Sequence, residues 1–331
     1  MALSASPASA VVRVRPVAGT AALNAVACPT ARTCVAVGTS NGDQLSRTAV
    51  VVPAPGGRPG SLEPVSSDPG WGDLVGVACE NRSSCFAVGQ LRVGPVGSVV
   101  TISNGVPSAN QVQADGSVTD VSCASGNSCA VVGYTNEDSP PEVMVYPLDA
   151  GVLGQPVYGI GYPQLLQGVD CLSQTNCMTV GWDLPTLTTG PTYGGLVEPY
   201  NNGTLSAGQF VANYDLNAVA CPTATDCLAV GDGAQGAVIV PITNGTPGTA
   251  VPISGTSSLS AISCPNQHRC VASGQGSNGE GAFLRIHNGV PRRTRYVPGT
   301  EALAGIACPS INRCVASGFT PAAEGVIATL P

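Results

Sequence analysis

A sixteen-residue phrase recurs seven times along this chain, and each copy holds two cysteines separated by five residues. The copies are "LNAVACPTARTCVAVG" at 23–38, "LVGVACENRSSCFAVG", "VTDVSCASGNSCAVVG", "LQGVDCLSQTNCMTVG", "LNAVACPTATDCLAVG", "LSAISCPNQHRCVASG" and "LAGIACPSINRCVASG". Their first cysteines (Cys28, Cys79, Cys123, Cys171, Cys221, Cys264 and Cys308) follow one another at intervals of 43 to 51 residues. A period of that size, rich in β-formers, is the length of a four-stranded unit packed beside its own copies. With 42 glycines and 28 prolines among 331 residues, long helices are excluded.

Each phrase reads as a hairpin. If Cys28 lies opposite Cys34, strict alternation puts Val26 opposite Ala36 and Asn24 opposite Gly38, with Ala25, Ala27, Val35 and Val37 on the other side. Both faces are then apolar, so the sheet must be covered on both, as radially packed blades are. After each hairpin come a variable loop, a third strand, an Asn-Gly or similar turn and a fourth strand, as in "AVIVPITNGTPGTAVPI" and "AFLRIHNGVPRRTRYVP". The seventh copy stops at "EGVIATLP", one strand short, while "VVRVRPVAGT" at 11–20 has no hairpin of its own. The expected architecture is an all-β, seven-bladed β-propeller with four antiparallel strands per blade, closed by residues 11–18 completing blade seven. The expected blades are 23–66, 74–113, 118–158, 165–212, 216–253, 259–298 and 303–331 plus 11–18, one domain after a disordered leader at 1–10.

The equal spacing predicts seven local disulfides: Cys28–Cys34, Cys79–Cys85, Cys123–Cys129, Cys171–Cys177, Cys221–Cys227, Cys264–Cys270 and Cys308–Cys314. Zinc binding would need two pairs to converge, which a ring of blades prevents, and redox catalysis would need one distinctive pair. Fourteen paired cysteines predict a secreted or cell-surface chain, and "ASPASA" near the start resembles the tail of a cleaved secretion signal. All thirteen basic residues are arginine, a bias expected of a GC-rich bacterial coding sequence. No stretch is apolar enough to span a membrane, and a monomer is expected.

The signature "L-x-x-V-x-C…C-x-A-V-G" resembles the cysteine-paired propeller repeats of secreted bacterial proteins. It is also similar to blades of sialidase-type (BNR) and photosystem II assembly factor-like propellers. The resemblance covers nearly the whole chain and implies the fold. It implies no activity: the Asp-box S-x-D-x-G-x-T-W of sialidase-type blades is absent from every copy, and "FLRI" at 283–286 lacks the proline of that family's arginine motif.

In a four-stranded blade the loops between strands two and three share one face, here the upper face, with the links between blades. Ligands of propellers commonly bind there. Blades two to four send Trp71, Tyr134, Tyr162, Trp182 and Tyr193 toward it, with Asp73, Glu137, Asp138 and Asp183 beside them and Tyr214 and Asp215 beginning blade five. Both tryptophans of a chain only 4% aromatic fall in this sector, and rings beside carboxylates suit sugar stacking. The alternative is that they pack loop bases.

Charge is uneven. Residues 21–240 hold 17 acidic residues and 5 arginines, whereas 241–331 hold 3 and 6. Arg269, Arg292, Arg293, Arg295 and Arg313 would form a basic patch on the lower face and rim, joined by Arg13 and Arg15, for an anionic polymer or acidic partner. The formal net charge of −7 and the lack of any reading motif argue against nucleic acid. His268 and His287 lie in lower-face turns without a nearby nucleophile. Asp73, Asp120, Asp170 or Asp183 could supply paired carboxylates for a glycoside hydrolase or lyase. "TNED" (135–138) and "SNGD" (40–43) carry oxygen ligands without the spacing of a calcium loop. The function expected is therefore a binding module for a carbohydrate or cell-surface ligand, with no cofactor and no metal. A propeller hydrolase or a purely structural scaffold are the alternatives.

Overall fold

The structure, a computed structural model, describes residues 11–42, 46–65, 71–91, 96–124, 128–135, 141–159, 164–173, 175–183 and 194–331. The leader at 1–10 lies outside them. Seven antiparallel sheets form, one for each cysteine pair, and their inner strands touch in a closed ring. Those inner strands are Thr20–Thr30, Trp71–Cys79, Ser117–Ala124, Gln164–Ser173, Tyr214–Ala220, Thr256–Asn266 and Ala302–Ser310. Blade one continues outward through Thr33–Ser40, Ala49–Pro53 and Glu63–Pro64, and the other blades repeat this order.

The ring closes as the sequence predicts. Arg13–Pro16 pairs antiparallel with Gly325–Leu330, with Arg13 opposite Thr329 and Pro16 opposite Val326, so blade seven is built from both ends of the chain. All seven disulfides join cysteines within one hairpin, with Cα atoms 3.9 to 4.1 Å apart.

The core consists of seven apolar layers, each between neighbouring blades, and period-two alternation makes them. Val35, Val37 and Val51 of blade one pack on Leu74, Val77 and Ile102 of blade two. Cys34, Ala36 and Val52 of the same strands face Val315 and Ile327 of blade seven. Every blade is thus buried on both sides, which is why its strands read as nearly unbroken apolar runs.

One detail departs from strict alternation. Val26 does face Ala36, but Gly38 faces Leu23 rather than Asn24, because a bulge sits between Leu23 and Ala25. The same irregularity falls at the matching place in the other blades, leaving Val75, Thr119, Gln167, Asn217 and Ser260 unpaired and Ala304 within the shift. At Asn24, Thr119 and Asn217 the extra residue reaches out of the ladder to a carbonyl of the next blade. It also pushes the inner strand's carbonyl against the closing glycine of each phrase. A β-carbon on Gly38 would overlap the Ala22 carbonyl oxygen, and one on Gly231 that of Asp215. The invariant final glycine of the repeat is the partner the bulge requires.

The fourth strand is often split. In blade three it comprises Val152–Leu153 and Val157–Tyr158, interrupted where Gly154 donates to the Pro147 carbonyl. Pro147 has no N–H to return on that side, but the proline is not the cause of the lapse, because blade six splits at the same place, where the Arg285 carbonyl accepts from Arg292 N–H. Pro199 and Pro241 occupy the same place in blades four and five. Blade two has Thr101 at this position and a continuous fourth strand, Val106–Asp115.

Candidate functional site

Two regions carry polar chemistry: the central channel, and the upper rim where the second strands end. The channel is a cavity of about 430 Å³ lined by the inner strands of all seven blades. Its walls are hydrogen-bonded from blade to blade. Three of the bulged side chains donate upward: Asn24 Nδ2 to the Leu74 carbonyl at 2.8 Å, Thr119 Oγ1 to Leu166 at 2.8 Å and Asn217 Nδ2 to Leu259 at 2.9 Å. Nearer the disulfides, side chains accept from the next blade's first cysteine. Ser122 Oγ receives the Cys171 N–H at 3.0 Å and Ser263 Oγ the Cys308 N–H at 3.0 Å.

Asp120 and Asp170 belong to this stitching. Asp120 Oδ2 accepts from Val169 N–H at 3.0 Å and Oδ1 from Val121 N–H at 2.8 Å. Asp170 Oδ2 accepts from Cys221 N–H at 2.6 Å, and Ser122 Oγ donates to Oδ1 at 3.4 Å. Burial pushes the Asp120 carboxyl up to about 7, against the pull of its two backbone donors and with a further push from Asp170. Burial raises Asp170 to about 6 in the same way. These two carboxyls therefore line the channel wall rather than the upper face, because their positions lie below the bulge, toward the cysteines. A third raised carboxyl, Glu198, is fully buried between blades three and four near Gly159, with no hydrogen-bond partner on either oxygen. Burial alone holds it at about 7.

At the upper rim, the residue after the closing glycine occupies the same place in every blade. These residues are Thr39, Gln90, Tyr134, Trp182, Asp232, Gln275 and Phe319. Tyr134 and Trp182, one blade apart, are both half-buried, as is Asp183 beside Trp182. Both rings stand at strand ends rather than in turns, because Tyr134 pairs with Ser117 and Trp182 with Leu165. In blade five Asp215 faces Asp232 across the hairpin. Burial, followed by the Asp232 charge, raises the Asp215 carboxyl, whose Oδ1 has no hydrogen-bond partner. Asp232 is held by Asn217 Nδ2 at 2.7 Å. Asp73 accepts from the Thr39 hydroxyl and so ties blade two to blade one.

Of the other expected rim residues, Trp71 starts the inner strand of blade two opposite Leu91. Its side chain, together with Tyr162, Tyr193, Glu137, Asp138 and Asp43, lies outside the described residues. Sequence reading overlooked Asp232 and the equivalence of Tyr134, Trp182 and Phe319. The signal was present as the variable column directly after an invariant glycine. Among the described residues no three His, Cys, Asp or Glu side chains form a metal-binding group.

The arginines of the expected basic patch fall into three groups. Arg269 and Arg295 flank Arg285, the arginine of "FLRI"; burial and these two charges lower the Arg285 pKa. Arg292 and Arg293 line a separate groove of about 420 Å³ with Tyr296. Arg313 stands at the seam between blades seven and one with Arg13, Arg15 and Arg58. The regrouping follows from which face of each strand a residue occupies: Arg269 and Arg285 share the side of Val271 and Phe283, while Arg313 shares that of Val315. His268 Nδ1 lies 2.9 Å from Asn288 Oδ1 on the lower face.

No protein-family model matches the sequence, and no curated protein does. Solved structures do. The chain is similar to the WD40 β-propeller domain of Doa1, with a TM-score of 0.64 at 12% identity, covering 96% of this chain and 95% of that one. It is also similar to YCF48, solved bound to a D1 peptide, with a TM-score of 0.56 at 11% identity, covering 99% and 96%. At such identities the likeness establishes the fold alone, a β-propeller, while the disulfide in each of the seven blades is seen in this chain itself.

Proposed function

We propose that this chain is an extracellular binding module whose upper rim over blades three to five takes a carbohydrate or other cell-surface ligand. The supporting observation is the equivalence of Tyr134 and Trp182 in adjacent blades, half-buried at one level, with the carboxylates of Asp183, Asp215 and Asp232 continuing the same arc. Aromatic faces give a hydroxyl-bearing ligand an apolar surface to stack on, and carboxylates accept its hydroxyl hydrogens. Seven disulfides favour an oxidising compartment. Among the described residues no helix is long and apolar enough to cross a membrane.

A hydrolase reading draws less support. The raised carboxyls of the channel, Asp120 and Asp170, each spend an oxygen on the backbone N–H of the following blade, and the role of Asp170 is filled by Ser122 and Ser263 in blades three and six. Glycan-array binding tests the proposal. Loss of signal in Trp182→Ala and Tyr134→Ala, with retention in Phe319→Ala on the far side of the ring, is the expected result. Binding of a peptide library at the same rim, with no glycan retained, would replace the ligand class and keep the module.

A further inference from the structure

Closure of the ring creates a site that neither end of the chain holds alone. At the seam, Arg13 and Arg15 on the outer strand of blade seven, Arg313 on its cysteine turn and Arg58 of blade one surround a groove of about 260 Å³. Arg13 and Arg15 are two residues apart on a strand, so they point to one side at a separation of about 7 Å. Their neighbours Val12 and Val14 pack the other way, toward blade six.

The opposite bank is the turn Pro55–Gly57 of blade one, where Gly56 and Gly57 both take left-handed backbone angles, φ 62° and 75°. The turn brings the Gly57 carbonyl within 3.2 Å of Arg15 Nη1, which donates to it and fixes that guanidinium over the groove. A β-carbon on Gly56 would stand 3.3 Å from Arg313 Nη2, so the missing side chain lets this second guanidinium close in. None of the four arginines has a carboxylate partner among the described residues. Four arginines around one groove, which Thr329 and Pro331 also line, make a local excess of positive charge in a chain of net charge −7. Planar guanidinium forks match the oxygen geometry of phosphate and sulfate.

We infer that the seam groove binds a tetrahedral oxyanion, a phosphate or sulfate group, free or carried as an ester on a polysaccharide. The site is independent of the upper rim and stands whether or not the rim takes a glycan. Its test is calorimetric titration at low ionic strength with two probes, inorganic phosphate and a heparin hexasaccharide. The expected result is binding that the Arg13→Gln/Arg58→Gln pair weakens tenfold or more, that Arg58→Lys partly restores relative to Arg58→Gln, and that rises in dissociation constant with salt. Binding of both probes, or of phosphate alone, identifies the free anion as sufficient; binding of the hexasaccharide alone identifies the polymer-borne ester. Trp182→Ala leaves either result unchanged, which separates this site from the rim. Failure of both probes to bind would overturn the inference. So would an equal loss in Arg292→Gln/Arg293→Gln, two arginines of a different groove, since that pattern marks general charge attraction.

Discussion

The Asp170 carboxylate receives the backbone N–H of Cys221 at 2.6 Å, joining the fourth blade to the fifth beside the channel. Blades three and six make the same joint with Ser122 and Ser263, so the joint needs an acceptor and not a charge. Burial raises this carboxyl to about 6 from its ordinary 3.8. A folded-state pKa above the unfolded value means stability that is complete below pH 3.8 and is lost as pH rises toward 6. Asp170→Ser should therefore keep the joint and remove part of the decline in melting temperature between pH 4 and pH 7. Asp170→Ala should flatten the decline too but lose about 1 kcal/mol at every pH. Urea midpoints at four pH values check this, and a serine variant with the wild-type slope would sink it.

Glu198 has the larger predicted relief. Its oxygens are buried without partners, and burial raises it from 4.5 to about 7. The sign is the same, with stability lost as pH climbs through that window. Glu198→Gln is expected to raise the unfolding midpoint at pH 8 and to leave it nearly unchanged near pH 4.5. Parallel shifts at both pH values would show that packing rather than ionisation governs the site.

The closing glycine of each phrase is predicted to tolerate nothing larger. At Gly231 a β-carbon would overlap the carbonyl oxygen of Asp215 and press on its carbonyl carbon and on Leu216 Cα, all backbone atoms that cannot swing away. Gly231→Ala should cost about 3 kcal/mol or more, as overpacking against backbone does. Gly203, in an outer turn with nothing within 4 Å, is the control for bulk, with strain there arising only from its positive φ of 79°. Denaturant unfolding of the two variants compares them, and equal costs would refute the role of the bulge.

Those glycines also mark where sequence reading reached its limit. Hairpins, disulfides and ring closure were legible because each is written into the repeat: the fixed Cys spacing, the alternation of Val35 and Val37 with Ala36, and the unmatched strand at each end of the chain. The bulge at Asn24 was not, since a residue that leaves the ladder looks in sequence like one that stays in it. The same gap hid the joints of Asp120 and Asp170, whose partners are backbone groups of the next blade some fifty residues away. Arg58 and Arg313 line one groove across the left-handed turn at Gly56, a geometry that no spacing in the sequence encodes.

Each disulfide closes a short ring, six residues apart in sequence, so its removal should cost about 2 kcal/mol through the unfolded state. Cys264→Ala/Cys270→Ala is expected to lower stability by that amount without opening the ring, because Ala272, Leu284 and Ile286 of the same blade still pack on blade five. Two such pairs removed from distant blades should add. Loss of folding on removing a single pair would mean that the bridges carry the fold and the apolar layers do not.

The seam makes the sharpest demand. Removing residues 1–17 strips blade seven of the strand Arg13–Pro16 and exposes Gly325–Leu330 along its whole length, an apolar edge ready to pair with another chain. The truncated chain loses Val12 and Val14 from the layer between blades six and seven, and Val17 from that between seven and one. It is expected to associate on size-exclusion chromatography and to be cut first in blade seven under limited proteolysis. Adding a synthetic peptide of residues 9–18 should restore a single non-associating species, because the missing strand makes its contacts with the Gly325–Leu330 edge in a fixed register, Arg13 to Thr329 and Pro16 to Val326. A peptide with Val14→Asp should fail, since the aspartate would enter the apolar layer beside Leu330 and Ala328. Equal rescue by both peptides would mean that the edge is only being covered and that the strand is not specified by its side chains.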